Sequence, residues 1–194
     1  MKTYFVLLIL IPLLTTGCER KKFEVDATLG LEKIYEVNNY GDFNEYAEVT
    51  DADISDLLNI PEDAVIEEVN IESISMKMSI LSYNEASDVY VRGYLQMGSD
   101  YADFIDPWRI PITEEDRTYL LGAQLINGGV EILKRKLEDL LSGIDAEPFY
   151  IHLIGSTYPS GSSLHIKITL TITGNVAYFQ CVEVPFFIEG DEPC

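Results

Sequence analysis

A run of oxygen-bearing side chains occupies residues 51–62, DADISDLLNIPE. Counted from the first of them, they fall at positions 1, 3, 5, 9 and 12, namely Asp51, Asp53, Ser55, Asn59 and Glu62. Calcium loops of the EF-hand type present ligands at this spacing, but they need glycine at position 6, where this chain has Asp56. The same stretch fits a short helix capped by Thr50 or Asp51 and ended before Pro61, and we favour this capped helix over a cation site.

The two histidines, His152 and His165, lie in the segments 149–154 and 164–173, in which apolar and polar residues alternate. If these segments form a hairpin, the histidines lie nearly opposite each other, and such a pair can begin a zinc or copper site. No third ligand is identifiable from spacing. We therefore expect two ordinary strand histidines, and we predict no cofactor.

Six aromatic residues stand in polar, loop-like contexts, in the stretches YGDFNEY and DYADFIDPW. They are Tyr40, Phe43, Tyr46, Tyr101, Phe104 and Trp108. Exposed aromatic side chains beside acids can stack on sugars or anchor a protein partner. They can equally fold back over the ends of the sheets, and the sequence leaves both interpretations open.

Familiar catalytic motifs are missing from the sequence, which has no G-x-S-x-G, no H-E-x-x-H and no P-loop. Acids are so abundant that no general acid/base pair can be singled out. We therefore expect that the protein is not an enzyme. An enzyme acting on envelope glycans, with acids from residues 100–116, is the weakest alternative.

Alternating apolar residues predict the strands that must position these side chains. The segments are 23–31, 69–81, 89–97, 149–154, 164–173 and 176–188. We expect antiparallel hairpins between 69–81 and 89–97, between 149–154 and 164–173, and between 164–173 and 176–188, the last around a turn at Gly174-Asn175.

One helical segment separates the two groups of strands. Thr113-Glu114-Glu115-Asp116 resembles a capping box, and Gly143 stands where a helix would end. Between them, apolar residues recur at helical spacing, namely Ile126, Val130, Leu133, Leu137 and Leu141. This pattern predicts a helix over 114–142, weakened or kinked at Gly128-Gly129. The predicted fold is mainly β (α+β), with antiparallel, β-sandwich-like sheets and one central amphipathic helix.

The chain is strongly acidic, with 33 Asp and Glu against 13 Lys and Arg among 194 residues and a net charge of −20. Such a surface repels phosphate backbones, so we predict no nucleic-acid partner. The acids are densest over residues 24–68, where Lys33 is the single basic residue. We interpret this region as a solvated face, the alternative being a collector of divalent cations or of a basic partner.

The chain begins with the order of a secretory signal: the basic Lys2, the apolar run 4–14 and the small residues 15–17. The apolar run is shorter than the ~20 residues that span a bilayer, so a transmembrane helix is the weaker interpretation. Because Cys18 directly follows Thr-Thr-Gly, the segment resembles a bacterial lipoprotein signal. The resemblance implies cleavage before Cys18 and a palmitate-bearing lipid anchor on it, whereas a plain cleaved signal is the alternative.

This resemblance implies a domain organisation of a signal peptide at 1–17, a lipidated cysteine with a short basic tether at 18–22, and a single β-rich domain at 23–194. Arg20-Lys21-Lys22 would lie among anionic lipid headgroups. Glu19 follows the cysteine in place of the aspartate that tends to retain lipoproteins at the inner membrane. The resemblance therefore favours the bacterial envelope, at an outer membrane facing the periplasm rather than the inner membrane or the cell surface.

With Cys18 assigned to lipid, Cys181 and Cys194 remain, and an exported chain with two such cysteines predicts a disulfide between them. If 176–188 is one straight strand, the return from Gly190 falls roughly 10 Å short of Cys181. A bend at Pro185 would close that gap. A free or intermolecular Cys194 is the alternative.

Together these patterns favour a membrane-anchored envelope lipoprotein with a non-catalytic binding or structural role, and with a protein as a candidate partner. A carrier of an apolar ligand or lipid is the second hypothesis. In that case Met76, Met78 and the apolar strand faces would line a cavity.

Overall fold

The computed structural model describes residues 18–61, 63–81, 83–145, 147–185 and 192–193. In these ranges the strands are β1 (Cys18–Tyr40), β2 (Asp42–Val49), β3 (Val65–Ile80), β4 (Asp88–Met97), β5 (Asp100–Pro111), β6 (Arg117–Leu120), β7 (Phe149–Tyr158), β8 (Ser163–Pro185) and β9 (Glu192–Pro193), and the helices are α1 (Asp51–Leu58) and α2 (Asn127–Leu141). No helix in the described ranges has the length and apolar character needed to cross a membrane.

The strands pair as nested antiparallel partners: β1 with β8, β2 with β7, β3 with β6, and β4 with β5. Two further pairings, β3 with β8 and β4 with β7, join these partners into two sheets. The strand orders are β6-β3-β8-β1-β9 and β2-β7-β4-β5. A nested series of strand pairs wrapped into two sheets in this way is the arrangement of a jelly roll.

The predicted fold class is therefore confirmed in outline: the chain is mainly β, with antiparallel sheets arranged as in a β-sandwich. The predicted hairpins are wrong. Segments 69–81 and 89–97 lie in different sheets, as β3 and β4, and so do 149–154 and 164–173, as β7 and β8. Gly174-Asn175 is not a turn, because β8 continues through it and Asn175 lies opposite Thr28 and Asn70. In a jelly roll most successive strands cross from one sheet to the other, and alternation does not reveal that crossing.

The predicted helix exists but begins later than expected. Residues 113–116 precede the strand β6, and the Thr113 hydroxyl donates to the Glu115 carbonyl (3.1 Å). Gly128 and Gly129 lie in the first turn of α2, so they do not split it. Gly143, with φ of 66°, follows the end of the helix as predicted.

Helix α2 covers the edge of β3 that β6 leaves unpaired. The Val69 N–H donates to the Glu138 carboxylate (3.1 Å), and the Lys134 ammonium lies 2.8 Å from Glu68. The helix buries Leu133, Leu137 and Leu140 against the core. Unpaired strand edges invite association with other chains, so the helix protects this sheet.

Inward-facing side chains of both sheets form one core. Tyr35 of β1 reaches across it, where its buried hydroxyl donates to the Ile151 carbonyl of β7 (3.2 Å) and desolvation raises its pKa far above the ordinary value. Met76 and Met78, proposed above as the lining of a carrier cavity, are buried members of this core. Their packing gives the carrier hypothesis no support.

The longest feature is the antiparallel pairing of β1 with β8, which runs from Cys18 opposite Pro185 to Tyr40 opposite Ser163. Residues 18–22, expected as a tether, form the first part of β1. Cys181 is disulfide-bonded. Cys194 lies outside the described residues, so its pairing with Cys181 stays a prediction.

Gly129→Ala should destabilise the fold, because a Cβ at this position would lie 2.2 Å from the Asp103 carbonyl oxygen and 2.8 Å from the Phe104 Cα. Relieving such overpacking costs about 1–3 kcal/mol of unfolding free energy. Gly128→Ala is the matched control, since a Cβ there meets nothing within 4 Å. It should leave stability unchanged or raise it by up to about 1 kcal/mol. Urea unfolding followed by circular dichroism measures both, and equal effects would contradict the proposed packing.

Candidate functional site: the outer face of the four-stranded sheet

Aromatic and polar side chains cover the outer face of the sheet β2-β7-β4-β5. Alternate residues of a strand point to one face, and strand register places them in rows. One row is Tyr46, His152, Tyr94 and Asp103, and the next is Glu48, Tyr150, Gln96 and Tyr101. Tyr46 and Tyr101 are 64% and 63% exposed. We call this surface the tyrosine face, defined by Tyr46, Tyr94, Tyr101, Tyr150, His152 and Arg92.

The rings of the tyrosine face contact one another continuously. His152 and Tyr94 are stacked, with ring centroids 4.4 Å apart and planes 9° apart. The ring centroid of Tyr46, on the neighbouring strand β2, lies 5.4 Å from that of His152. Tyr101 meets Tyr94 edge to face at 5.6 Å, and Tyr150 meets Tyr46 in the same manner at 5.8 Å. Aromatic contacts of this kind are worth about 0.5–1.5 kcal/mol each beyond burial, so the surface is held in place before any ligand binds.

His152 fixes the centre of the face through both ring nitrogens. Its Nε2 lies 2.8 Å from Gln96 Oε1, and its Nδ1 lies 3.3 Å from Asn44 Oδ1. Burial disfavours the charged imidazolium and lowers the pKa of His152 below its ordinary value. A neutral ring has one N–H, so His152 donates to one of these two amide oxygens, and the other amide must present its NH2 to the remaining ring nitrogen.

Two neighbouring clefts open on the face and share Arg92 as a common wall. The first, of about 420 Å³, is lined by Asp42, Tyr90, Ile154 and Ser156 and reaches Phe43 and Gly155. The second, of about 390 Å³, is lined by Tyr94, Tyr101 and Asp103. Arg92 is exposed, and no acidic side chain in the described ranges forms an ion pair with its guanidinium. Each cleft thus combines at least one tyrosine ring, one carboxylate and the guanidinium of Arg92.

A second arginine, Arg109, lies on the same side of the sheet and contacts side chains of β4 and β7. Arg109 donates from Nε and Nη2 to the two carboxylate oxygens of Asp88 (3.0 and 2.9 Å). Its guanidinium carbon lies 4.9 Å from the ring centroid of Tyr158 and 5.7 Å from that of Tyr90. The hydrogen bonds from Arg109 lower the pKa of Asp88, so this pair stays charged at neutral pH.

Of the six aromatic residues singled out from the sequence, Tyr46 and Tyr101 lie on the tyrosine face. Phe43 and Phe104 are buried in the core, 4% and 0% exposed, so for these two the inward-packed interpretation is the correct one. Both fill inward-facing positions of strands that the sequence had suggested as loops. Trp108 packs edge to face on Tyr119 (5.1 Å). Tyr40 is 73% exposed at the end of β1, outside the face.

Tyr94, Tyr150, His152 and Arg92 belong to the face and were not recognised as a group from the sequence. The sequence did contain a signal. In VYVRGYLQM and FYIHLI, the residues that alternate with the apolar ones are tyrosines, an arginine, a glutamine and a histidine, all of which have planar side-chain groups. Which strands lie side by side was the missing information. His165 belongs to β8 in the other sheet, so the two histidines are not opposite each other and the hairpin that would have joined them does not exist.

Residues 51–58 form the capped helix α1, as favoured above. Thr50 and Asp53 make a reciprocal capping box, and the Lys33 ammonium lies 2.8 Å from Asp53. Asp51 and Ser55 are helical, Asn59 is the left-handed C-cap, and Glu62 lies outside the described residues. In the part of the chain that the structure describes, no group of three or more His, Cys, Asp or Glu is placed to hold a metal ion.

Comparisons with known proteins give this chain no family. No protein-family model matches it, and no curated protein matches it. Among solved structures, the decameric BFDV capsid protein is 11% identical and covers 81% of this chain and 99% of its own, with a TM-score of 0.45. Capsid structures of turnip yellow mosaic virus (11% identity, 85% of each chain, TM-score 0.33) and Desmodium yellow mottle tymovirus (8%, 92% and 94%, 0.34) are also similar. These distant likenesses carry no argument about function.

His152→Gln should change how stability depends on pH. Because burial lowers the pKa of His152 in the folded protein, the unfolded chain binds more protons as the pH falls through about 6.5. The wild-type protein therefore loses stability relative to the glutamine variant as the pH falls from about 7.5 through 6.5 to lower values, while the difference stays constant above about pH 7.5. Urea unfolding of both proteins across this range gives the difference in unfolding free energy. A difference that is independent of pH would contradict a buried neutral imidazole.

Proposed function

We propose that this protein is a lipid-anchored bacterial envelope protein with a non-catalytic binding role, and that the tyrosine face is its binding surface. The observation that carries the binding role is the continuous set of ordered rings beside two open clefts. Exposed rings held rigid by their neighbours lose little conformational entropy on binding, which is the property of a preorganised surface. Tyr46 and Tyr101 remain exposed despite their ring contacts.

The carboxylates of the clefts favour binding over catalysis. Hydrolysis of a glycosidic bond by the usual mechanism needs two carboxyl groups about 5–10 Å apart on either side of that bond. The residues that line the first cleft include one carboxylate, Asp42, and those of the second also include one, Asp103. This arrangement supports recognition without cleavage, and it makes the glycan-acting enzyme the weaker alternative.

The lipid anchor rests on the sequence around Cys18, and the start of β1 is compatible with it. Basic residues occupy the end of the strand next to that cysteine. Arg20 pairs at 3.5 Å with Asp63, where both side chains are exposed, and the Lys22 ammonium lies 3.6 Å from the ring centroid of Phe179. Positive charge near anionic lipid adds about 1 kcal/mol of binding per residue, so this end suits the membrane side of the molecule.

Cys18→Ser tests the anchor. Without the thiol no diacylglycerol can be attached, so the variant should leave the membrane fraction and lose palmitate labelling when expressed in a bacterial host. Glu19→Gln is the matched control and should keep both. Fractionation and radiolabelled or clickable palmitate give the two readouts. Retention of membrane association and label by the serine variant would overturn the proposed anchor.

Photo-cross-linking in cells tests the binding role separately. A photoreactive phenylalanine derivative at position 101 should form adducts with an envelope component. The same group at Ile34, which is 53% exposed on the other sheet, is the control and should form none. Equal yields at the two positions, or none at position 101, would remove the tyrosine face as the binding surface.

A further inference from the structure

We propose that the tyrosine face binds an uncharged carbohydrate chain laid across the strands β7, β4 and β5. This inference names the ligand class of the binding role proposed above and rests on it. Three properties of the face carry it: exposed ring surface, unpaired hydrogen-bonding groups in the clefts, and a balance of charge.

Ring surface is available where sugar rings can reach it. Tyr101 is 63% exposed at the wall of the second cleft, and Tyr90, 41% exposed, lines the first. One face of a pyranose ring is covered by C–H groups, which pack on an aromatic ring much as another apolar group does, while the sugar hydroxyls point outward to polar partners. Each cleft therefore offers an exposed tyrosine ring for stacking.

The polar groups of the clefts match a pair of neighbouring hydroxyls. Arg92 can donate two parallel hydrogen bonds, and the carboxylates of Asp42 and Asp103 can each accept two. Ser156 adds a hydroxyl that both donates and accepts. In the described part of the chain, no side-chain hydrogen bond or ion pair engages these four groups, so their capacity is open to a ligand.

Charge argues against an anionic chain. Each cleft places one carboxylate beside the shared Arg92, so a negatively charged ligand would meet Asp42 or Asp103 on a protein whose net charge is −20. The hydroxyl groups of an uncharged polyhydroxylated ligand can accept hydrogen bonds from Arg92 and donate them to Asp42 or Asp103. Such a ligand therefore satisfies the arginine and the carboxylates together.

Apolar residues also line the first cleft, namely Phe43, Val91, Pro107 and Ile154, whereas the second cleft is lined by Arg92, Tyr94, Tyr101 and Asp103. Tyrosine and arginine are also enriched in protein interfaces, so a protein ligand is the alternative that the test below must separate from a carbohydrate.

Gly155 allows close packing beneath the first cleft. A Cβ at Gly155 would lie 2.1 Å from the Tyr90 carbonyl oxygen and 2.5 Å from the Phe43 ring, so any larger residue would move the strands that form the cleft. Together with the His152 contacts, this packing sets the positions of Tyr90, Arg92 and Tyr94 before a ligand arrives.

The test is calorimetric titration of the purified full-length protein in detergent with four uncharged hexasaccharides: cellohexaose, xylohexaose, mannohexaose and maltohexaose. At least one should bind saturably. Tyr101→Ala should then lower the affinity about tenfold through lost stacking, whereas Tyr101→Phe should keep most of it. Arg92→Gln should lower the affinity at least tenfold. Tyr40→Ala is the matched control, an exposed tyrosine outside the face, and should leave the affinity unchanged.

Four outcomes would overturn the proposal: no binding of any uncharged hexasaccharide, tighter binding of hexagalacturonate than of all four, equal losses for Tyr101→Ala and Tyr40→Ala, or an unchanged affinity for Arg92→Gln. If cross-linking at position 101 succeeds but identifies a protein, and no sugar binds, the carbohydrate is wrong and the proposed binding role stands. If no sugar binds and no cross-linked adduct forms at position 101, both the carbohydrate ligand and the proposed binding role are wrong. Circular dichroism of each variant shows that it is folded.

Discussion

The pairing of β1 with β8 is the constraint on which the rest of the structure depends. It joins the first described strand, β1, to the last long strand, β8, over 23 residues, and the other nested pairs lie between them in sequence. β8 also pairs with β3, so it is the strand through which the five-stranded sheet is connected. Closing such distant contacts costs loop entropy before it gains hydrogen bonds, and the buried faces of both strands offset that cost.

The tyrosine face follows from this arrangement rather than from any local motif. Once the nested pairs are set, β7 must lie between β2 and β4, and His152 comes between Tyr46 and Tyr94. The inward residues of the same strands, such as Ile151 and Leu95, are fully buried. Burial of one face therefore fixes the register, and the register assembles rings from four strands into one ordered surface.

Local patterns predicted local structure well and long-range pairing badly. Alternation located the longest strands, and Thr50 with Pro61 marked a short capped helix, because these signals depend on neighbours in sequence. Gly174 resembled a turn residue, yet it stands in a strand where a Cβ would lie 2.0 Å from the Asn70 carbonyl oxygen. Glycine is required at this position because the neighbouring strand β3 leaves no room for a side chain. Likewise only Tyr46 and Tyr101 of the face were singled out in advance, since membership depends on which strands are adjacent.

The length of the β1–β8 ribbon has a consequence for where a ligand can be met. Cys18 begins β1, and Lys33 of the same strand pairs with Asp53 in the helix that follows β2. At about 3.3 Å per residue, the strand between them is roughly 50 Å long. A paired ribbon does not collapse or extend as a polar linker does. In the anchored protein that we propose, the four-stranded sheet would stay at a nearly constant distance from the bilayer. It would therefore reach only ligands that lie at that distance from the membrane.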